Sequence, residues 1–392
     1  MNTSPIYLDY NATTPVDPAV LAALLPHIQD HFGNPSSAHA YGRSAHDAVE
    51  AGRVHVAALV GAEPDEIVFT GGGSEASNHA IKGACLRSGE SPAALHVITT
   101  RVEHPATARP IEFLRAFGVK VTVLPVDRFG LVDPDAVKHA ITPRTRLVSV
   151  MHSNNEVGTL MPVREIATIA RARGVLVHTD CAQSLGKVPV DVNALGVDLL
   201  TVAGHKLYAP KGVGALFVRR GVTLDPLIHG AGHETGRRAG TENVPYIAAL
   251  GRACTLAAQS LPGATDRLRT LRDRLYTRLH ARLGERISIN GHPELRLPNT
   301  LNVNFIGHVG AELLAKVPGV AASTGSACHD GKVSLSPVLA AMGVAPEVGR
   351  GAVRLSVGRF TTEEEVDHAA DLLAGAASEA PGALTPGAGA RR

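Results

Sequence analysis

The chain is short of most features that mark a specialised protein. Among its 392 residues there is no tryptophan, aromatic residues make up 4%, cysteines number four and the formal net charge is +2. The cysteines (Cys85, Cys181, Cys254 and Cys328) lie far apart and form no CxxC pair, so neither a zinc site nor a disulfide framework is suggested. No metal is expected, and a reducing, cytoplasmic setting is the simple inference. The near-neutral charge argues against a dedicated nucleic-acid binder, which carries a basic excess or stripe. No apolar run approaches the roughly 20 residues that span a bilayer. The opening MNTSPIYLDYNATTP lacks the basic and apolar regions of a secretory signal. The missing tryptophan carries no functional reading.

What is present is an ordinary large core. Hydrophobic residues reach 44%, and the length suits two domains or one with an appendage. Short apolar runs, at 66–70, 95–99, 120–125, 146–151, 175–180, 198–204 and 214–218, alternate with helical patterns. That alternation predicts a mainly parallel sheet with helices on both faces. Beyond about residue 245 the texture changes. Two helical patterns (243–260 and 264–284) precede short strands, a helix near 310–316 and a last helix from TTEEEVD. This predicts a smaller α+β domain. The Pro-, Gly- and Ala-rich end, 379–392, predicts a disordered tail.

Ligands of parallel sheets sit beyond the carboxyl ends of the strands, so the residues directly after each strand matter most. TGGGSEASN (70–78) places glycines before a helix start, which suits a phosphate but also a plain tight turn. His104 follows the second strand, and the amides of HSNNEVG (152–158) follow the fourth. Asp180 ends an apolar strand, with Gln183 close behind; a carboxylate at that depth needs a partner. Lys206 follows another apolar strand; it suits imine chemistry or simply snorkels to water. Taken singly, each has a plainer reading. Together, a phosphate cradle, a ring-stacking His, a carboxylate for a pyridinium and an imine-forming Lys are the parts of a pyridoxal phosphate site.

At this point the chain resembles the cysteine desulfurases of the NifS/IscS type, in class V of the aminotransferase superfamily. The motifs are YLDYNATTPVDP, FGNPSS, EIVFTGGGSEASNHAIKGA, VEH, NNEVGT, HTDCAQSLGK, GHKLYAPKGVGAL, GTEN, STGSAC and VRLSVGRFTTEEEVD. They cover nearly the whole chain. The resemblance implies the α/β type I pyridoxal-phosphate (aspartate aminotransferase-like) fold. Its large, mostly parallel sheet domain would span 15–255. A small α+β domain would be built from 1–14 and 256–378. It also implies a homodimer acting on L-cysteine and passing sulfur to an acceptor protein such as an iron–sulfur scaffold.

Carried over residue by residue, Lys206 would hold the cofactor as an imine and Asp180 would pair with its ring nitrogen. His104 would stack on the ring and move protons. Asn155 and Gln183 would bond the ring-oxygen side. Gly73, Ser74 and His205 would bind phosphate, joined by Thr241 of the other subunit. Arg354 and Asn34 would hold the substrate carboxylate, and Cys328 would be the nucleophile, in a loop of small residues.

Three positions depart from the family pattern. Ala203 stands where serine is common and removes one phosphate hydrogen bond. Cys181 is expected to be a buried bystander. The Cys328–His329 step is similar to the animal selenocysteine lyases, and a protonated His329 would lower the thiol pKa. A selenocysteine lyase acting on L-selenocysteine is therefore the close alternative. Another class V lyase and a weakly catalytic sulfur-relay scaffold are the remaining readings.

Overall fold

The computed structural model describes residues 4–86, 91–324 and 335–379. The segment holding Cys328 and His329 lies outside them, as does the expected tail except for Glu379. A two-residue strand, β1 (Ile6–Tyr7), comes first. Seven strands follow: β2 (Ile67–Thr70), β3 (His96–Thr100), β4 (Lys120–Leu124), β5 (Thr145–Ser149), β6 (Leu176–Asp180), β7 (Leu199–Ala203) and β8 (Gly214–Val218). They form one sheet in the order β2-β8-β7-β6-β5-β3-β4. β8 runs antiparallel to both neighbours, β2 and β7, and the other pairs are parallel. The carboxyl ends of β2, β3, β5, β6 and β7 therefore share one edge.

Alternation along these strands feeds two cores. Ile67, Phe69, Ile98, Val148, Leu200 and Phe217 enter the core on one face. Val68, Val97, Leu147, Leu199 and Leu216 enter the core on the other. Both faces are buried, which is why the strands read as continuous apolar runs. The sheet matches the sequence expectation to within a few residues at each strand; the run at 146–151 pairs only to Ser149.

The sequence reads as two helices after residue 243, but the structure has one, Val244–Leu283, with Pro262 inside it. Proline removes a backbone donor and disfavours a helix interior. Here both halves have a core to bind. Val244, Ile247, Leu250 and Ala253 pack on the large sheet, and Leu268, Leu271, Leu275 and Leu279 pack on a third core. That burial outweighs the local break, and the helix ties the cores together. The third core also takes Leu8, Val353, Leu355 and Leu373, so both chain ends contribute. It lies against an antiparallel sheet of β9 (Ile287–Asn290), β10 (Thr300–Phe305) and β12 (Ala352–Ser356), ordered β12-β10-β9. Strand β11 (Val320–Ala321) pairs in parallel with β1. Among the described residues no helix is long and apolar enough to cross a membrane.

Candidate active site

The shared carboxyl edge borders a cavity of about 570 Å³. Gly73, Ser74, His104, Asn155, Asp180, Gln183, His205, Lys206 and Arg354, all expected from the sequence, line it. They come from turns after five different strands and from β12.

At one end the chain leaves β2 and starts the helix Gly73–Cys85. Gly72 caps it at φ 144°, a conformation that L side chains rarely adopt. A Cβ on Gly73 would come within 2.9 Å of the Ala203 Cβ. The turn therefore sits close against β7, and the first helical N–H groups face the cavity end with nothing bulky over them. Ala203 itself lines the cavity and offers no hydroxyl there.

His104 caps the helix Pro105–Ala116, its Nδ1 accepting from Ala106 N at 3.1 Å. That bond leaves the neutral ring with its proton on Nε2. Burial holds its pKa below the usual value, offset by Asp180 and reinforced by Lys206 and Arg354. Asp180, at the end of β6, accepts from Ala182 N through Oδ1 at 2.9 Å, and no ion pair reaches it among the described residues. Burial pushes its pKa up. A cation placed against its free oxygen would reverse that shift.

Lys206 follows β7. Its Nζ donates to the carbonyls of Asn11 and Ala12, the second at 2.6 Å. Burial first, and then Arg354, lower its pKa to about 8, against the opposing pull of Asp9 and Asp180. His205 bonds Thr13 Oγ1 at 3.1 Å. Burial and nearby cations, Lys206 foremost, bring its pKa to about 4, so it is neutral at pH 7. Arg354 pairs with Asp9 at 2.7 Å and donates to the Asn155 carbonyl at 3.1 Å, while its buried Nε has no partner among the described residues. The Asn155 side chain has no protein partner among the described residues.

These features fit pyridoxal phosphate. An uncompensated buried carboxylate awaits a protonated ring nitrogen, and a depressed lysine lies in the same cavity. A glycine-rich helix start can take a phosphate, and the Arg354 guanidinium, which lines the cavity, can take a substrate carboxylate.

Two expected residues are not brought into this cavity. Thr241 is exposed in a neighbouring pocket that shares Gly71, Gly212 and Val213 with it. Asn34 is exposed, its Oδ1 accepting from Ser36 N at 2.9 Å. Cys181 is fully buried among apolar residues, and burial raises its thiol pKa.

Sequence reasoning missed the role of Asp9–Thr13. This segment supplies the Arg354 partner, both Lys206 acceptors and the His205 partner. The signal was available as a polar DYNATT run directly after the apolar YL pair. Lys187 and Lys211 were missed as well. Lys211 lines the cavity beside Gly71–Ser74.

A family profile described as aminotransferase class-V matches residues 6–369. A cysteine desulfurase IscS of Dictyoglomus turgidum is 43% identical over 370 residues, 94% of this chain and 93% of that one. A solved structure of a NifS-like protein superposes with a TM-score of 0.88 at 36% identity, covering 95% of this chain and 98% of that one. A structure of SspA in complex with cysteine gives a TM-score of 0.78 at 35% identity, covering 91% and 99%.

Proposed function

This chain belongs to the aminotransferase class-V family, and from that premise we propose how its residues divide the work. It is a pyridoxal-phosphate-dependent cysteine desulfurase of the type I fold. When bound, the cofactor supplies an electron sink that acidifies the α-carbon of an amino acid.

The observation that carries the assignment of roles is one cavity holding a lysine near pKa 8 and a buried carboxylate without a cation. Asp180 would pair with the ring nitrogen and keep it protonated. His104 would meet the ring and, through Nε2, could hold a proton. Gly73, Ser74 and His205 would take the phosphate. Arg354 orients the substrate carboxylate, with Asn155 beside it. Lys206, near neutrality in its ammonium pKa, moves the proton at the substrate α-carbon through Nζ.

Cys328 then takes the sulfur. Its thiolate bonds to the substrate Sγ as the substrate C–S bond breaks, the electron pair stays with carbon, and protonated carbon leaves as alanine. Two described residues flanking the Cys328 segment support this. Ser323 Oγ donates to Asp9, the partner of Arg354, at 2.8 Å. Ser336 Oγ donates to Glu156, next to Asn155, at 2.5 Å. Both flanks are thus tied to the cavity wall. The five residue-to-residue steps from Ser323 to Cys328 can span at most about 17 Å.

A second copy of the chain would complete the site with Thr241 and Asn34, which stand outside their own cavity. Phe32 and Tyr41, 71% and 59% exposed with rings 5.6 Å apart, support an apolar face beside Asn34 for that copy. In the cytoplasm a sulfur-acceptor protein, such as an iron–sulfur scaffold, would discharge Cys328.

The test is alanine release by cofactor-loaded protein given L-cysteine and L-selenocysteine side by side. Turnover of L-cysteine that is lost in Cys328→Ala supports this reading. Turnover of selenocysteine with cysteine acting only as an inhibitor makes the enzyme a selenocysteine lyase. Full activity in Cys328→Ala rejects the nucleophile.

A further inference from the structure

We propose that Lys187 is a positioning residue of this site: it turns the Gln183 carboxamide so that an N–H donor, rather than the carbonyl, faces the ring-oxygen side of the cofactor. The proposal rests on the cofactor reading above.

Lys187 closes the turn that begins at Asp180, and it is 7% exposed. A buried ammonium is costly unless it meets a carboxylate or several oxygens. No carboxylate reaches this one among the described residues. Its Nζ donates to two oxygens of a single residue, the Gln183 carbonyl at 2.9 Å and Oε1 at 3.2 Å. The turn is held from outside by Thr265, whose hydroxyl donates to the Lys187 carbonyl at 2.8 Å.

The orientation of the amide follows from donor chemistry. Lys187 Nζ carries N–H donors whether charged or neutral, and it donates to Oε1. The Asn11 carbonyl only accepts, and Gln183 Nε2 donates to it at 2.9 Å. Both constraints agree. One N–H of Nε2 is used by Asn11. The other has no protein acceptor among the described residues, and Gln183 lines the cavity. The site therefore presents a donor, which favours an ionised ring oxygen. With Oε1 turned inward, it would favour a protonated one.

The charged groups around this corner are cationic. Lys206 and Arg354 act on Lys187 from the turn after β7 and from β12, and they and burial bring its pKa to about 7. His205 feels Lys187 in turn. Arg267 shares with Lys187 a second cavity of about 240 Å³ on the far side of Lys206, and it donates only to carbonyls. Nothing anionic in that set competes for Lys187, and among the described residues the two Gln183 oxygens are its only hydrogen-bond acceptors.

The experiment is a pH titration of the visible absorbance of the cofactor-loaded dimer, with cofactor affinity measured by fluorescence. Lys187→Met, Gln183→Met and the double variant are compared with wild type. Losing the Gln183 donor beside the ring oxygen, directly or through Lys187, stabilises the protonated cofactor. Each single variant should therefore raise the titration midpoint, by about one pH unit, a tenfold change. The double variant should shift no further than either single. An unchanged midpoint in loaded Lys187→Met overturns the proposal. So does a double shift equal to the sum of the singles, which would make Lys187 an independent charge. If Lys187→Met does not fold, Lys187→Gln decides, because it keeps a donor for Oε1 without the charge: a midpoint near wild type supports the positioning role, and one raised as far as in Gln183→Met overturns it. Failure of wild-type protein to take up cofactor would instead reject the cofactor reading.

Discussion

Each polar side chain in the cavity is defined by the partner it has and the one it lacks. Among the described residues, Asp180 uses one oxygen on Ala182 and Arg354 leaves Nε unpaired. Lys206 rests on two carbonyls that it can leave without stranding a charge. Lys206→Ala should lower cysteine-dependent alanine release by about 10³-fold or more, in line with the loss of a positioned acid–base group, while circular dichroism stays native. Ala203 is a case of a missing partner. A serine there lines the cavity beside the helix start, and a hydrogen bond to a charged group contributes roughly 1.5–3 kcal/mol. Ala203→Ser should therefore tighten cofactor binding about tenfold or more, measured by equilibrium titration of the apoenzyme.

The elements hold these residues at the right height. The loop carrying Thr241 is anchored upstream by a turn in which Glu234 (φ 51°) and Thr235 (φ 55°) are both left-handed. Arg53 clamps Glu234 through two bonds of 2.8 and 2.9 Å, and Glu234 also accepts from Phe69 N at 2.8 Å on β2. The pair is buried, with side-chain exposures of 10% and 2%. Breaking it leaves the buried Arg53 with only the part-exposed Glu50 as a charged partner and strips Phe69 N of its acceptor. Glu234→Ala should cost about 3 kcal/mol in denaturant unfolding. Replacing both partners by methionine should cost much less, because no charge is then left behind.

At the scale of the molecule, four histidines, three buried and His205 half-buried, shape acid stability. Burial lowers His79, His152 and His205 to about 4 and His178 to about 3. Unfolded, each takes up a proton below about pH 6.5, whereas folded it does not, so the unfolded state binds more protons and stability falls as pH drops from 6.5 towards 4. Glu103 acts with the opposite sign. Burial raises it to about 8, so the folded state holds a proton that the unfolded chain releases above about pH 4.5, and its contribution is lost as pH rises towards 8. The melting temperature should fall steeply below pH 6. Glu103→Gln should gain on wild type between pH 6 and pH 8 in a thermal melt. At the same scale, the proposed pairing with a second copy predicts that Phe32→Asp weakens self-association in sedimentation equilibrium and leaves the monomer fold intact.

The sequence alone determined the strand–helix alternation, because strands buried on both faces must be continuous apolar runs. It also placed the residues of the cavity lining after the right strands, since motif and strand end are adjacent along the chain. His104, Asp180 and Lys206 were legible for that reason. Tertiary structure decided what is distant in sequence. Asp9 meets Arg354, Asn11 serves both Gln183 and Lys206, and Arg53 meets Glu234 across contacts that no local pattern encodes. It also decided that the helix runs through Pro262, because two separate cores claim its two halves and their burial exceeds the cost of one lost backbone bond.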